Sequence, residues 1–141
     1  MTNDQSIEQE IQAKGLTAPR VTPADIEANI ASEYYFTAGD GFAGAVSVSP
    51  EFVNSERGPD GFPVICPPEQ LDLLTFCVLV LKNGFTVTGE SACASPENFD
   101  EEVGRKIARA NAVQKIWPLM GYELRSRLAA MEELEESKRT D

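Results

Sequence analysis

Apolar and polar positions are most strongly ordered between Leu73 and Leu124. Leu74 to Leu81 is an almost unbroken apolar run, Thr86 to Ala92 is rich in β-branched and hydroxyl residues, and Asn83-Gly84 lies between them. Asn-Gly between two β-rich runs predicts a hairpin, because a type I′ turn needs positive φ at both central residues. A two-residue loop fixes the register: Lys82 faces Phe85, Leu81 faces Thr86, Val80 faces Val87, Leu79 faces Thr88, and Cys77 faces Glu90. One face then carries Phe76, Val78, Val80, Phe85 and Val87 and is expected to be buried. The other sets Cys77, Leu79 and Leu81 beside Thr86, Thr88 and Glu90, an odd mixture for a plain solvent face.

The pattern then changes to a helical period. Ser95 is placed to cap and Pro96 suits a first helical position, with Glu97, Asp100, Glu101 and Glu102 loading the positive end of the dipole. Phe99, Val103, Ile107, Ala110, Val113 and Trp117 share one broad arc. Gly104, Ala108 and Ala112 form a separate smooth stripe, where another backbone could come close: the first helix, or a second copy of the chain. Pro118 is expected to end or kink this helix. Met120, Leu124, Leu128, Met131 and Leu134 define a last amphipathic helix that fades into a polar tail.

Upstream, Thr22-Pro23 with Asp25 is a helix start, and Val21 and Ile26 sit at the hydrophobic-staple positions. Ile26, Ile30 and Tyr34 continue one face, predicting a helix over 23–35. Residues 38–70 read as irregular, punctuated by glycine and proline, with Ala45-Val46-Ser47-Val48 a short edge strand. Ile7 and Ile11 give one weak helical face before Gly15. The expected organisation is a flexible segment 1–20, a single domain over 21–131 with an irregular loop 39–70, and a polar tail 132–141. The fold class is α+β: a β-hairpin, open to a third strand, packed on a long helix with flanking helices.

Charge and composition narrow the chemistry. The net charge is −11, which argues against a duplex-binding surface. It is uneven: residues 1–73 carry twelve acids and three bases, residues 74–130 six and seven, and residues 131–141 five and two. The flanks are acidic and the central unit nearly neutral, as for solubilising ends around a core or a flank that mimics nucleic acid. With no histidine, Ser-His-Asp, Cys-His and His-ligated metal chemistry are excluded. The three cysteines, Cys66, Cys77 and Cys93, match no zinc spacing, and no metal or cofactor is expected. No apolar run is long enough to span a bilayer, and the first residues lack a signal-peptide pattern. The expected location is the cytoplasm.

The candidate ligand-binding residues are Thr86, Thr88, Glu90 and Ser91 on the hairpin, with Arg105 and Arg109 on the helix. Hydroxyls, a carboxylate and free amides at a helix start suit a polar ligand. The plain alternative is a Thr-rich strand and a capping segment. Cys93 lies before the expected helix start, where a thiol pKa can fall, though no histidine serves it as a base. Arg105 and Lys106 have i,i+4 partners in Glu101 and Glu102. Arg109 and Lys115 have none at that spacing, and are the better candidates for anion or partner contact.

The run LLTFCVLVLKNGFTVTGESACASPENFDEEVGRKIARANAVQKIWPLMGYEL resembles the tailed-phage accessory proteins grouped as the gene-product 49/gene 66 family. RVTPADIEANIASEYYFTA resembles the segment that often precedes it. The resemblance implies a small phage or prophage protein made in the bacterial cytoplasm. It supplies no catalytic residues to carry over. The expected function is binding: sequestration of a small polar or nucleotide-like molecule in the host cytoplasm, or inhibition of a host protein. A small enzyme using Glu90 or Cys93 is the less favoured alternative. Self-association through Gly104, Ala108 and Ala112 is a further expectation.

Overall fold

The computed structural model describes residues 2–48, 59, 61 and 67–140. Its elements run α1 (Asn3–Ala13), α2 (Pro23–Ala28), β1 (Ile30–Thr37), α3 (Ala38–Val48), β2 (Leu74–Leu81), β3 (Thr86–Ala92) and α4 (Glu101–Arg139). Short 3-10 turns at Glu69–Leu73 and Pro96–Asn98 lead into β2 and α4. The strands form one antiparallel sheet in the order β1-β2-β3. The chain is therefore α+β, with α4 laid across one face of a three-stranded sheet.

The start of α2 follows its sequence signals. The Thr22 hydroxyl accepts from the Asp25 amide at 3.1 Å, the Asp25 carboxylate accepts from the Thr22 amide at 2.9 Å, and Pro23 opens the helix. The helix is short, however. The predicted continuation to residue 35 is replaced from Ile30 by β1, the third strand of the sheet. Both periods fit Ile26 and Ile30; the aromatic run that follows pairs along β2, and that ladder wins.

Residues 45–48 form no edge strand but the end of α3. Thr37 and Asp40 bond to each other's amides at 3.1 and 3.0 Å, a capping-box geometry that starts α3 where an irregular stretch was expected. Gly39 is poor helix material, yet a side chain there would collide with the Asp72 carboxylate, so glycine lets α3 seat against the 3-10 turn. Residues 49–58, 60 and 62–66 of the expected loop lie outside the described residues.

The hairpin is present with its register shifted by one. Val80 pairs with Thr86, Leu79 with Val87, Val78 with Thr88, Cys77 with Gly89 and Phe76 with Glu90. The Leu81 amide donates to the Phe85 carbonyl at 2.8 Å, and the Gly84 amide to the Leu81 carbonyl at 2.9 Å. The loop is therefore the three residues Lys82-Asn83-Gly84, and only Gly84 takes positive φ, at 90°. Asn83 keeps negative φ and its side chain accepts from the Phe85 amide at 2.9 Å. The slip exchanges the two faces of β2, while Val87 stays buried and Thr86, Thr88 and Glu90 stay on the open face. Cys77, Leu79, Leu81 and Val87 are buried, whereas Phe76, Val78 and Val80 are half-exposed and Phe85 is exposed.

Helix α4 corrects the expected helix in three ways. It begins at Glu101, capped by Asp100, whose carboxylate accepts from the Val103 amide at 3.0 Å; Ser95 and Pro96 belong to the preceding 3-10 turn. It runs through Pro118 to Arg139 as one helix of 39 residues. Its buried face over the sheet is the small stripe Gly104, Ala108 and Ala112 with Val113 and Ile116, while Val103 and Ile107 are exposed. The small stripe wins because it meets Gly89: a Cβ there would stand 2.9 Å from the Ala112 Cα and collide with the Ala108 carbonyl. The core closes around Ile26, Cys77, Leu79, Leu81, Val87 and Ile116, with Val21, Ile30, Tyr35, Trp117 and Met120 at its edge.

Candidate functional site

The pairing puts nine residues on the sheet face away from α4, in three rows. Phe36, Phe76 and Glu90 form one row, Tyr34, Val78 and Thr88 the next, and Ser32, Val80 and Thr86 the third. Tyr34 is 56% exposed and Phe36 39%. The Phe36 and Phe76 rings are 5.7 Å apart and tilted at 37°. A side chain at Gly41 would stand 3.8 Å from the Phe36 ring, so α3 borders this end of the face. The result is an aromatic and aliphatic centre with hydroxyls along one side and a carboxylate at one corner. Such a surface is more apolar than a monomer's solvent face needs to be.

The six candidate residues do not converge. Thr86, Thr88 and Glu90 share this open face, and the Thr88 hydroxyl lies 3.5 Å from the Glu90 carboxylate. Ser91 is opposite Thr75 and points to the α4 side. Arg105 bonds Glu101 at 2.6 Å and stands 5.9 Å from the centre of the Tyr35 ring, also on the α4 side.

Arg109 has partners that short-range spacing could not show. Its guanidinium donates to both oxygens of Glu27, at 3.0 and 2.7 Å, and to Glu33 at 2.9 Å. One side chain of α4 thereby ties α2 and β1 together. The Arg109 hydrogen bonds hold the Glu27 carboxyl below the usual carboxylate range, and Glu27 in turn raises Arg109. The two candidate arginines are thus engaged by carboxylates of the chain.

Cys93 is half-buried, and its thiol lies 3.1 Å from the Ser95 carbonyl. With α4 starting at Glu101, Cys93 is not at a helix N-terminus. Cys77 is sealed in the core, where burial pushes its thiol up. The same packing raises the adjacent Tyr35 phenol to about 12, burial being the main cause. The amides at the start of α4 face Asp100, Glu101 and Glu102, which disfavour an anion there. Among the described residues no group of Cys, Asp and Glu converges as metal ligands.

A concavity, invisible in the sequence, lies where α1 and α2 meet α4. Asp4 accepts from the Gln114 side chain at 3.1 Å and from the Trp117 indole at 3.3 Å, docking α1. Glu8 holds Arg20 through two contacts of 2.6 Å. Beside the Asp4 anchor a cleft of about 590 Å³ is lined by Asp4, Gln5, Glu27, Lys106, Gln114 and Trp117. Its residues come from three separate stretches, so no local pattern announces it. No described helix is long and apolar enough to cross a membrane.

Comparison with known families matches residues 21–128 to the family described as "Phage protein (N4 Gp49/phage Sf6 gene 66) family". No curated protein and no solved structure matches the chain.

Proposed function

The chain belongs to that family of phage proteins, and from this premise we propose that it is an accessory protein that engages a host protein in the bacterial cytoplasm through the open face of its sheet. The observation that carries this reading is the exposed pair Tyr34 and Phe36 on β1 beside Phe76, Val78 and Val80 on β2, an apolar centre with polar edges. Interface cores have this composition, with aromatics at the centre and charge at the rim. Glu90 at the corner and the net charge of −11 favour a partner whose own apolar patch has a basic rim.

The test compares the full chain with the double variant Tyr34→Lys, Val78→Lys in capture from host lysate. Both positions lie off the core, so circular dichroism should match. The expected result is a host protein recovered in near-equal amount by the natural chain and lost by the variant. Equal recovery by both would refute the open face as the contact.

A second reading rests on the cleft between α1, α2 and α4, whose carboxylates, amides, Lys106 and Trp117 suit a small polar molecule, including a nucleotide-like one. It predicts a compound released on denaturing purified protein, detectable by mass spectrometry and reduced by Gln114→Ala. A clean, folded preparation that releases nothing counts against it.

A further inference from the structure

The apolar stripe of α4 extends beyond the body on which it packs. Val113, Ile116, Trp117 and Met120 face the core, and the same stripe continues at helical spacing as Leu124, Leu128, Met131 and Leu134. Leu124 and Leu128 are half-buried, but Met131 is 58% and Leu134 59% exposed, and every residue from Ala130 to Thr140 is exposed. Met131 and Leu134 therefore leave the end of the stripe open to solvent.

We propose that a second copy of this chain covers it, with the two α4 ends antiparallel. The charge pattern selects that occupant and that direction. Arg125 and Arg127 precede the midpoint Ala129-Ala130, and Glu132, Glu133, Glu135 and Glu136 follow it. An antiparallel pair centred there sets Leu124 beside Leu134 of the second copy and Leu128 beside its Met131. On one flank Arg125 comes level with Glu132 of the second copy, and on the other Glu123 comes level with Lys138. A parallel pair would instead align the four glutamates with their own copies, like charge against like.

Within one chain, Arg125 reaches Glu132 at 3.0 Å and Arg127 reaches Glu123 at 3.5 Å, both pairs well exposed. No ion pair engages Glu133, Glu135 or Glu136 among the described residues. Exchanging weak surface pairs for intermolecular ones changes little in energy. Apolar burial supplies the affinity and charge sets the direction. A contact this short falls below the ~1,200 Å² of a standard interface, so the dimer should dissociate in the micromolar range.

Sedimentation equilibrium of the full chain tests this. The natural chain should pass from monomer to dimer as concentration rises through tens of micromolar, on the order expected for so small a contact. The double variant Met131→Glu, Leu134→Glu should remain monomeric, with its sheet signal unchanged. Arg125→Glu should weaken the dimer about fivefold, and adding Glu132→Arg should restore it. A natural chain that is monomeric throughout, leaving the stripe to some other protein, overturns the proposal. So does a dimer that survives the Met131/Leu134 variant, or a charge exchange that fails to restore pairing.

Discussion

Gly89 of β3 and Ala112 of α4 bring two backbones into contact: a Cβ on Gly89 would stand 2.9 Å from the Ala112 Cα and overlap the Ala112 amide and the Ala108 carbonyl. Neither helix nor strand can yield here without lifting the whole of α4 off the sheet. Gly89→Ala should therefore destabilise the fold by at least ~3 kcal/mol, well above the usual effect of one added methyl. Chemical denaturation compares it with Thr88→Ala, a neighbouring exposed position, which should change stability by less than ~0.5 kcal/mol.

Thr75 predicts an effect of opposite sign. Its hydroxyl is buried with no hydrogen-bond partner among the described residues, beneath Gly104, where a Cβ would come within 3.1 Å of the oxygen. Thr75→Val keeps the branched shape suited to a strand and removes the unsatisfied group. Stability should rise by about 1 kcal/mol, read as a shift in the denaturation midpoint with unchanged slope.

Arg109 links acid sensitivity to the anchoring of α2 and β1. Glu27 titrates below its ordinary value in the fold because Arg109 bonds its carboxylate. The stabilisation is thus complete above the unfolded value of about 4.3 and disappears as pH falls through the lower folded value. Arg109→Met should lower stability at pH 7 by roughly 0.5–1 kcal/mol, a modest figure because Glu27 is 54% exposed and screened by water. Melting curves from pH 7 to 3 should show the gap between variant and natural chain closing below pH ~4. A gap independent of pH would mean that the guanidinium acts by packing alone.

Pro118 is tolerated inside α4 at a measurable expense. A proline in a helix interior removes one backbone hydrogen bond and crowds the preceding turn, which costs about 3 kcal/mol in an ideal helix. Pro118→Ala should raise the melting temperature and slow amide exchange around Gln114, the residue whose carbonyl would regain a donor. An unchanged melting temperature would mean that packing around Pro118 already offsets the missing bond.

The sequence alone determined whatever depends on neighbours within a few residues. The Thr22-Pro23-Asp25 helix start, the hairpin about Asn83-Gly84 and a long helix through Ala108 and Ala112 are all local chemistry, and all are present. Thr37 and Asp40 carried a legible capping signal for α3, hidden by the glycines around it.

Tertiary structure decided the remainder. The hairpin register turned on which face could admit a helix, and Gly89 under Ala108 and Ala112 answered that across the gap between two elements. That shift turned Cys77, Leu79 and Leu81 into the core and Phe76, Val78 and Val80 to the open face beside Thr86, Thr88 and Glu90. Packing likewise gave Arg109 its partners Glu27 and Glu33, about eighty residues away in sequence. Local propensity weighs a residue against its own turn or strand, whereas packing weighs it against atoms the chain brings together only once folded.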